Sequence, residues 1–351
     1  AIEDYLVARC HLTPAQALKA SKALSHLKSP SKPDAVLAFL SGSGLGLSDA
    51  DIATVVAKDP KFLCSGVERT VAPRLAELQN HGLSPSQITR LVLVAPKHFR
   101  CLDVVAKLQY YGPLFGSFDN LLKELRKCNG YLSTSLERVV KPNVALLKEC
   151  GLDARDIAKL SRSVPRLITT NPGRVRTMVE RAEGVGVRRG TRMFRHALEV
   201  VAFRSKEKIS AKVEFLKKTF GWSDAEVDIA VSRFPGLLKR SKDRLLCISE
   251  FLISLVGLEP EYIAHNPPLV AYSLECRLMP RYYVLKFLKD NGLLGHSWSY
   301  CTVVAKTEND FMEKFIHPYK EAAPTLAQDY AAACRGEVPR SHELSTGLAS
   351  V

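Results

Sequence analysis

No run of apolar residues reaches the roughly 18 needed to cross a bilayer as a helix. A membrane-spanning reading is therefore weak, although the chain of 351 residues is 46% hydrophobic and has enough apolar content for a sizeable core. The cysteines are odd in number and form no C-x-x-C pair. Scattered at Cys10, Cys64, Cys101, Cys128, Cys150, Cys247, Cys276, Cys301 and Cys334, they read as reduced residues of an intracellular protein. The histidines hold no i, i+4 pair, and none stands at ligand spacing from a cysteine, so no metal site is legible. No arrangement of histidine with serine or carboxylate marks a nucleophile, and a non-enzymatic protein without cofactors is expected. The glycine-rich stretch from Gly42 to Gly46 lacks the G-x-G-x-x-G spacing and has no strand before it, so it reads as an inter-helix turn. No stretch alternates with period two long enough to argue for a sheet.

What is present is a repeat. Gly46, Gly82, Gly116, Gly151, Gly186, Gly221, Gly257 and Gly292 form a ladder with steps of 34 to 36 residues. In the clear copies an N-cap residue follows two positions later: Ser48, Ser84, Asp153 and Ser223. Three residues further on stands Asp51, Gln87, Asp156 or Glu226, which makes a capping box or its acidic variant. Apolar residues continue at helical spacing, as in Ile52, Val55, Val56 and Ile88, Leu91, Val92. Fourteen residues after the glycine comes Pro60, Pro96, Pro165 or Pro235; in the Gly257 copy the stop is earlier, at Pro267 and Pro268. Proline cannot continue a helix interior. A second amphipathic helix follows, with stripes such as Val67, Val71, Leu75, Leu78 and Ile248, Phe251, Leu252, Leu255. It runs into the next glycine, which suits a left-handed helix end. Two copies depart: the Gly116 unit has Asn129 where the proline belongs, and the Gly186 unit (VRRGTRMF) has neither capping box nor proline.

Units of this kind bury their apolar faces by stacking. The expected fold is all-α, one superhelical solenoid of helical hairpins with a concave surface. A leading unit is expected over 1–45, repeats over 46–294, capping helices over 295–335 and a flexible tail over 336–351.

The GLSxxxI phrase, the proline that ends its helix and the second helix resemble the mitochondrial transcription termination factor (mTERF) family. The resemblance covers about residues 10–320 and is plant-like in SKPDAVLAFL, VAKDPKFL, LKKTFGWSDAEV, SEFLISLVGLEPEYIA and LECRLMPRYYVLKFL. It implies a solenoid with short 3₁₀ turns and an organellar protein that binds nucleic acid, typically duplex DNA, along a basic concave face. The roles it implies are termination and regulation of organellar transcription, or RNA binding and intron splicing in some plant members. It points to the mitochondrion, with the chloroplast as the alternative. The chain starts at Ala1, and an upstream segment is where a transit peptide would lie.

Charge placement adds an argument independent of the resemblance. The chain has 50 Lys and Arg against 36 Asp and Glu, a formal +14, which favours polyanionic partners. Residues 155–245 alone hold 22 basic and 10 acidic residues, so almost all of the excess lies there. The candidate nucleic-acid-binding residues are Arg174, Arg176, Arg188, Arg189, Arg192, Arg195, Arg204, Lys206, Lys208, Lys212, Lys217, Lys218, Lys239, Arg240, Lys242 and Arg244. Such cations neutralise phosphates and release counterions without reading sequence. Arg188 and Arg192, and likewise Lys208 and Lys212, stand four residues apart, one turn if helical. Trp222, Trp298, Tyr282 and Tyr283 read as packing residues rather than base-stacking platforms. Duplex DNA is the favoured partner of a chain acting as a monomer. An RNA-binding factor and a protein-interaction scaffold are the rival readings, the second disfavoured by the local charge.

Overall fold

The computed structural model describes residues 2–42, 45–295 and 298–337. Among these residues are 22 α-helices, joined in places by 3₁₀ and π turns, and no strand. They form two compact units, Ala1–Arg176 and Thr177–Val351.

Local chemistry builds the repeat in both. All eight ladder glycines adopt positive φ, from +61° at Gly46 to +86° at Gly151, including the two in the divergent copies. Only glycine enters this region without strain from a Cβ. The caps form as the spacing implies. The Ser84 hydroxyl accepts the Gln87 N–H at 3.2 Å, while the Gln87 side chain accepts the Ser84 N–H at 2.9 Å. Ser48 with Asp51 and Ser223 with Glu226 do the same, and Asp153 accepts the Asp156 N–H at 2.7 Å. The residues before the stop prolines, Asp59, Ala95, Val164, Phe234 and Asn266, take φ between −124° and −144°. Their ψ, between 50° and 82°, takes them out of the helical region that a following proline disfavours. Pro60, Pro235 and Pro267 then open 3₁₀ turns.

In the first unit, first helices Asp49–Lys58, Pro85–Val94, Phe118–Lys127 and Ala154–Ser163 alternate with second helices, after three leading helices that end at Ser41. Phe62 stacks on Phe99 with centroids 6.1 Å apart, each ring from the turn of its repeat. The proline position of the Gly116 unit falls on Gly130, one residue beyond Asn129, which instead stands before the short helix Gly130–Ser133. Tyr131 fills the core there against Tyr111 and Phe115 at 5.1 and 5.4 Å. The Tyr131 hydroxyl donates to the Ser161 carbonyl at 2.9 Å, so its polar end is satisfied.

In the second unit, the Gly186 copy has a first helix of only 8 residues, Phe194–Val201. The stretch from Arg188 to Met193 is not helical and passes through Gly190 at φ +76°. Arg188 and Arg192 are therefore not one helical turn apart: without a cap, and with a second glycine, the helix starts late. Trp222 is buried, stacked on Phe220 at 4.4 Å, and donates its indole N–H to the Pro260 carbonyl at 2.8 Å. Trp298 packs edge-on against Phe315 in the C-terminal cluster with Phe311, Leu326 and Tyr330. The Tyr282 hydroxyl donates to the Leu255 carbonyl at 3.0 Å. Leu255 itself is 50% exposed, against the stripe expected for its helix. Its segment Phe251–Leu255 is π-helical, and the extra residue per turn rotates it out of the apolar face. Similar π turns open the second helices at Val67–Val71, Leu136–Val140 and Leu274–Leu278. The expected tail over 336–351 lies outside the described residues beyond Glu337.

Candidate nucleic-acid interface

The basic residues of the chain fall into two groups. The first group is engaged within the fold. Proline-terminated helices and their short turns leave backbone carbonyls without intrahelical partners. In the second unit Lys212 donates to the Arg240 carbonyl at 2.6 Å, Arg204 to Leu238 at 2.9 Å and Arg240 to Ala271 at 2.7 Å. Each reaches the turn of the following repeat. Arg281, wholly buried, serves Val303, Val304 and Lys306 at 3.1, 3.0 and 2.7 Å, and Arg277 joins it at Val304 at 2.9 Å. In the first unit Lys107 bonds the Leu132 carbonyl at 2.5 Å, and Asn143 bonds those of Ile168 and Thr170 at 3.0 and 2.7 Å. Three other candidates are ion-paired: Arg189 with Glu183, Arg195 with Glu199, and Lys217 with Glu214 and Asp224.

Arg277, Arg281, Lys107 and Asn143 were not legible as a set from charge density. Their signal was register: a polar residue recurring on an otherwise apolar helix face, 36 residues apart for Lys107 and Asn143.

The second group is exposed. Arg174, Arg176, Arg188, Arg192, Lys206, Lys208, Lys218, Lys239, Lys242 and Arg244 have no side-chain hydrogen bond or ion pair among the described residues. Arg174 and Arg176 belong to the first unit and the others to the second.

The second unit gathers cations closely at one place. The ammonium groups of Lys212 and Lys242 lie 5.2 and 5.1 Å from the Phe215 ring centre. Burial, and then the neighbouring charges of Lys242 and Arg204, hold the Lys212 ammonium below its ordinary pKa. Burial, and then Arg244, lower Arg240 in the same way. No carboxylate acts on either group to offset this. Lys212 and Arg240 spend their donors on carbonyls, whereas Lys242 and Arg244 present theirs to solvent. An anion placed there relieves like-charge repulsion in a partly desolvated setting, where it is worth more than in open water. Among the described residues no group of His, Cys, Asp and Glu could hold a metal ion, and no helix is long and apolar enough to cross a membrane.

Comparison with known proteins gives the family. Residues 106–312, from the first unit well into the second, match the mTERF family, a narrower span than the resemblance read from the repeat phrases. The chain is 22% identical over 232 residues to the chloroplastic transcription termination factor MTERF8 of Arabidopsis thaliana, covering 65% of this chain and 46% of that protein. It is 20% identical over 246 residues to the mitochondrial transcription termination factor MTERF15 of the same plant, covering 70% of this chain and 55% of that protein. The matched part thus spans about half the length of these relatives. With the family match extending over more than half of its residues, the chain belongs to the mTERF family, whose members are helical-repeat, non-enzymatic nucleic-acid binders of organelles.

Proposed function

We propose that this protein binds duplex DNA in an organelle and regulates transcription there, by termination. The observation that carries the reading is the cation cluster of Arg204, Lys212, Arg240, Lys242 and Arg244, gathered without an offsetting carboxylate on Lys212 or Arg240. An acidic protein surface would relieve such repulsion too, but it carries no condensed counterions to release. A phosphate backbone removes it and releases counterions as well. The relatives' names attach transcription termination to one chloroplastic and one mitochondrial protein. We place this chain in the mitochondrion, acting as a monomer.

Titration of fluorescent duplex DNA, single-stranded RNA and a DNA–RNA heteroduplex at fixed salt tests the reading. Duplex DNA should bind tightest, with affinity falling linearly on a log–log salt plot. Tighter binding of single-stranded RNA would move the protein to the splicing and stability factors. Binding that ignores salt would remove the phosphate reading altogether.

A further inference from the structure

Second helices begin with a recurring cap. Ser135, Ser205 and Ser241 each accept the N–H of the third residue after them through the side-chain hydroxyl, at 3.2, 3.3 and 3.4 Å. Those third residues are Arg138, Lys208 and Arg244. Asn171 precedes Arg174 by the same three residues and takes its N–H at 3.0 Å through the backbone carbonyl. Gly66 precedes Arg69 by three residues, has no side chain to cap with, and accepts from Thr70 and Val71 instead. All five cations are exposed and make no side-chain hydrogen bond or ion pair among the described residues. The steps from Arg69 to Arg138, Arg174, Lys208 and Arg244 are 69, 36, 34 and 36 residues, which are multiples of the repeat. The helix beginning at Val104 interrupts the series: it has no side-chain cap and no cation in this place. The capped residue of the Ser273 helix is Cys276.

From this register we infer that Arg69 and Arg138 of the first unit are phosphate-contacting residues, equivalent to Lys208 and Arg244 of the second, although they lie outside the segment that carries the charge excess. The inference rests on the nucleic-acid reading above and extends it to residues that charge density passes over. The side-chain cap fixes the backbone at Arg138, Lys208 and Arg244. A helical side chain tilts toward the N-terminus, so each cation projects over the start of its helix. The helix dipole also favours an anion there. Glu68, Glu137, Glu207 and Asp243 precede the cations and also suit the dipole, but successive residues point about 100° apart in the α-helices of Lys208 and Arg244, and somewhat less in the π turns of Arg69 and Arg138. Glu137 turns to Lys141. Cations of the neighbouring register, such as Lys107 and Lys212, are held on carbonyls and leave this one to face solvent.

The experiment titrates a fluorescent duplex at several salt concentrations with the full chain and three double variants. Arg69→Ala with Arg138→Ala should weaken binding to every duplex by tenfold or more and flatten the log–log salt slope by about two units. Arg69→Lys with Arg138→Lys should retain the slope. Lys123→Ala with Arg126→Ala removes the same charge from exposed positions on a first helix of the same unit and should leave the slope unchanged. Equal flattening by both alanine pairs would overturn the inference, because charge would then act only through the overall field. An unchanged slope in the Arg69, Arg138 variant would overturn it while leaving the duplex-binding reading intact. A wild-type chain that binds neither duplex nor RNA would overturn both. Matching circular dichroism of the variants excludes misfolding as the cause.

Discussion

Arg281 has no exposed surface and bonds three backbone carbonyls, with Glu308 at 2.9 Å as its ion-pair partner. A guanidinium suits this place because Nη1 serves the carbonyls while Nη2 serves Glu308 and the charge stays on, although the buried Nε has no partner among the described residues. Its plane also lies 4.5 Å from the Phe311 ring centre, which recovers some of the lost hydration. Arg281→Met keeps the volume and removes the buried charged donor, so the 303–306 carbonyls are left to Arg277 and the Lys306 N–H alone. Hydrogen bonds to a charged group contribute about 1.5–3 kcal/mol each. A denaturant melt should therefore show Arg281→Met less stable by at least about 1.5 kcal/mol. A melt superimposable on wild type would mean that water replaces the guanidinium, and that these cations are not fastening one repeat to the next.

At the scale of the element, helix ends decide the repeat. Ser223→Ala frees the Glu226 N–H, leaves the bond from the residue-223 N–H to the Glu226 carboxylate, and should cost about 0.5–2 kcal/mol in the same melt. Nucleic-acid affinity should be unchanged, since Ser223 is not among the cations. Gly82 sits at φ +85°, and a Cβ added there meets nothing within 4 Å. Gly82→Ala therefore tests backbone strain without a clash. Its expected cost is about 1–2 kcal/mol, the penalty of an L-residue in the left-handed region. Gly82→Asn should lose less, because asparagine enters that region more readily. Were alanine to cost nothing, the chain would be leaving this helix by another route.

Over the whole molecule, two groups of cations share one net charge, and only the exposed group is available to a polyanion. Arg188→Ala, Arg189→Ala and Arg192→Ala combined should weaken binding to all sequences alike. Arg189 is paired with Glu183, so the slope should change by about two units rather than three. Lys19, Lys22 and Lys28, exposed on and near the leading helices, form the matched control and should do much less when changed to alanine. Titration of one duplex at several salt concentrations compares the two. Equal losses would assign the Arg188 segment to the general field and not to contact.

The glycine ladder, the capping boxes and the proline stops were legible in the sequence because each is settled within a few residues. A left-handed φ needs glycine, a free N–H needs an acceptor three residues back, and proline bars the helix before it. The family fold follows from their period. The π turns were not read from the sequence: Val67–Val71 looks like any amphipathic start, although Pro73, Pro142 and Pro280 follow three of the four turns two residues on and lack the N–H that would continue the helix ladder. The state of each cation was likewise outside the sequence's reach. Lys208 and Lys212 are four residues apart and alike in composition, yet one is free and the other is bonded to Arg240, 28 residues away. That bond exists only when one repeat lies on the next, so tertiary structure alone separated the cations that hold the fold from those that can meet a phosphate.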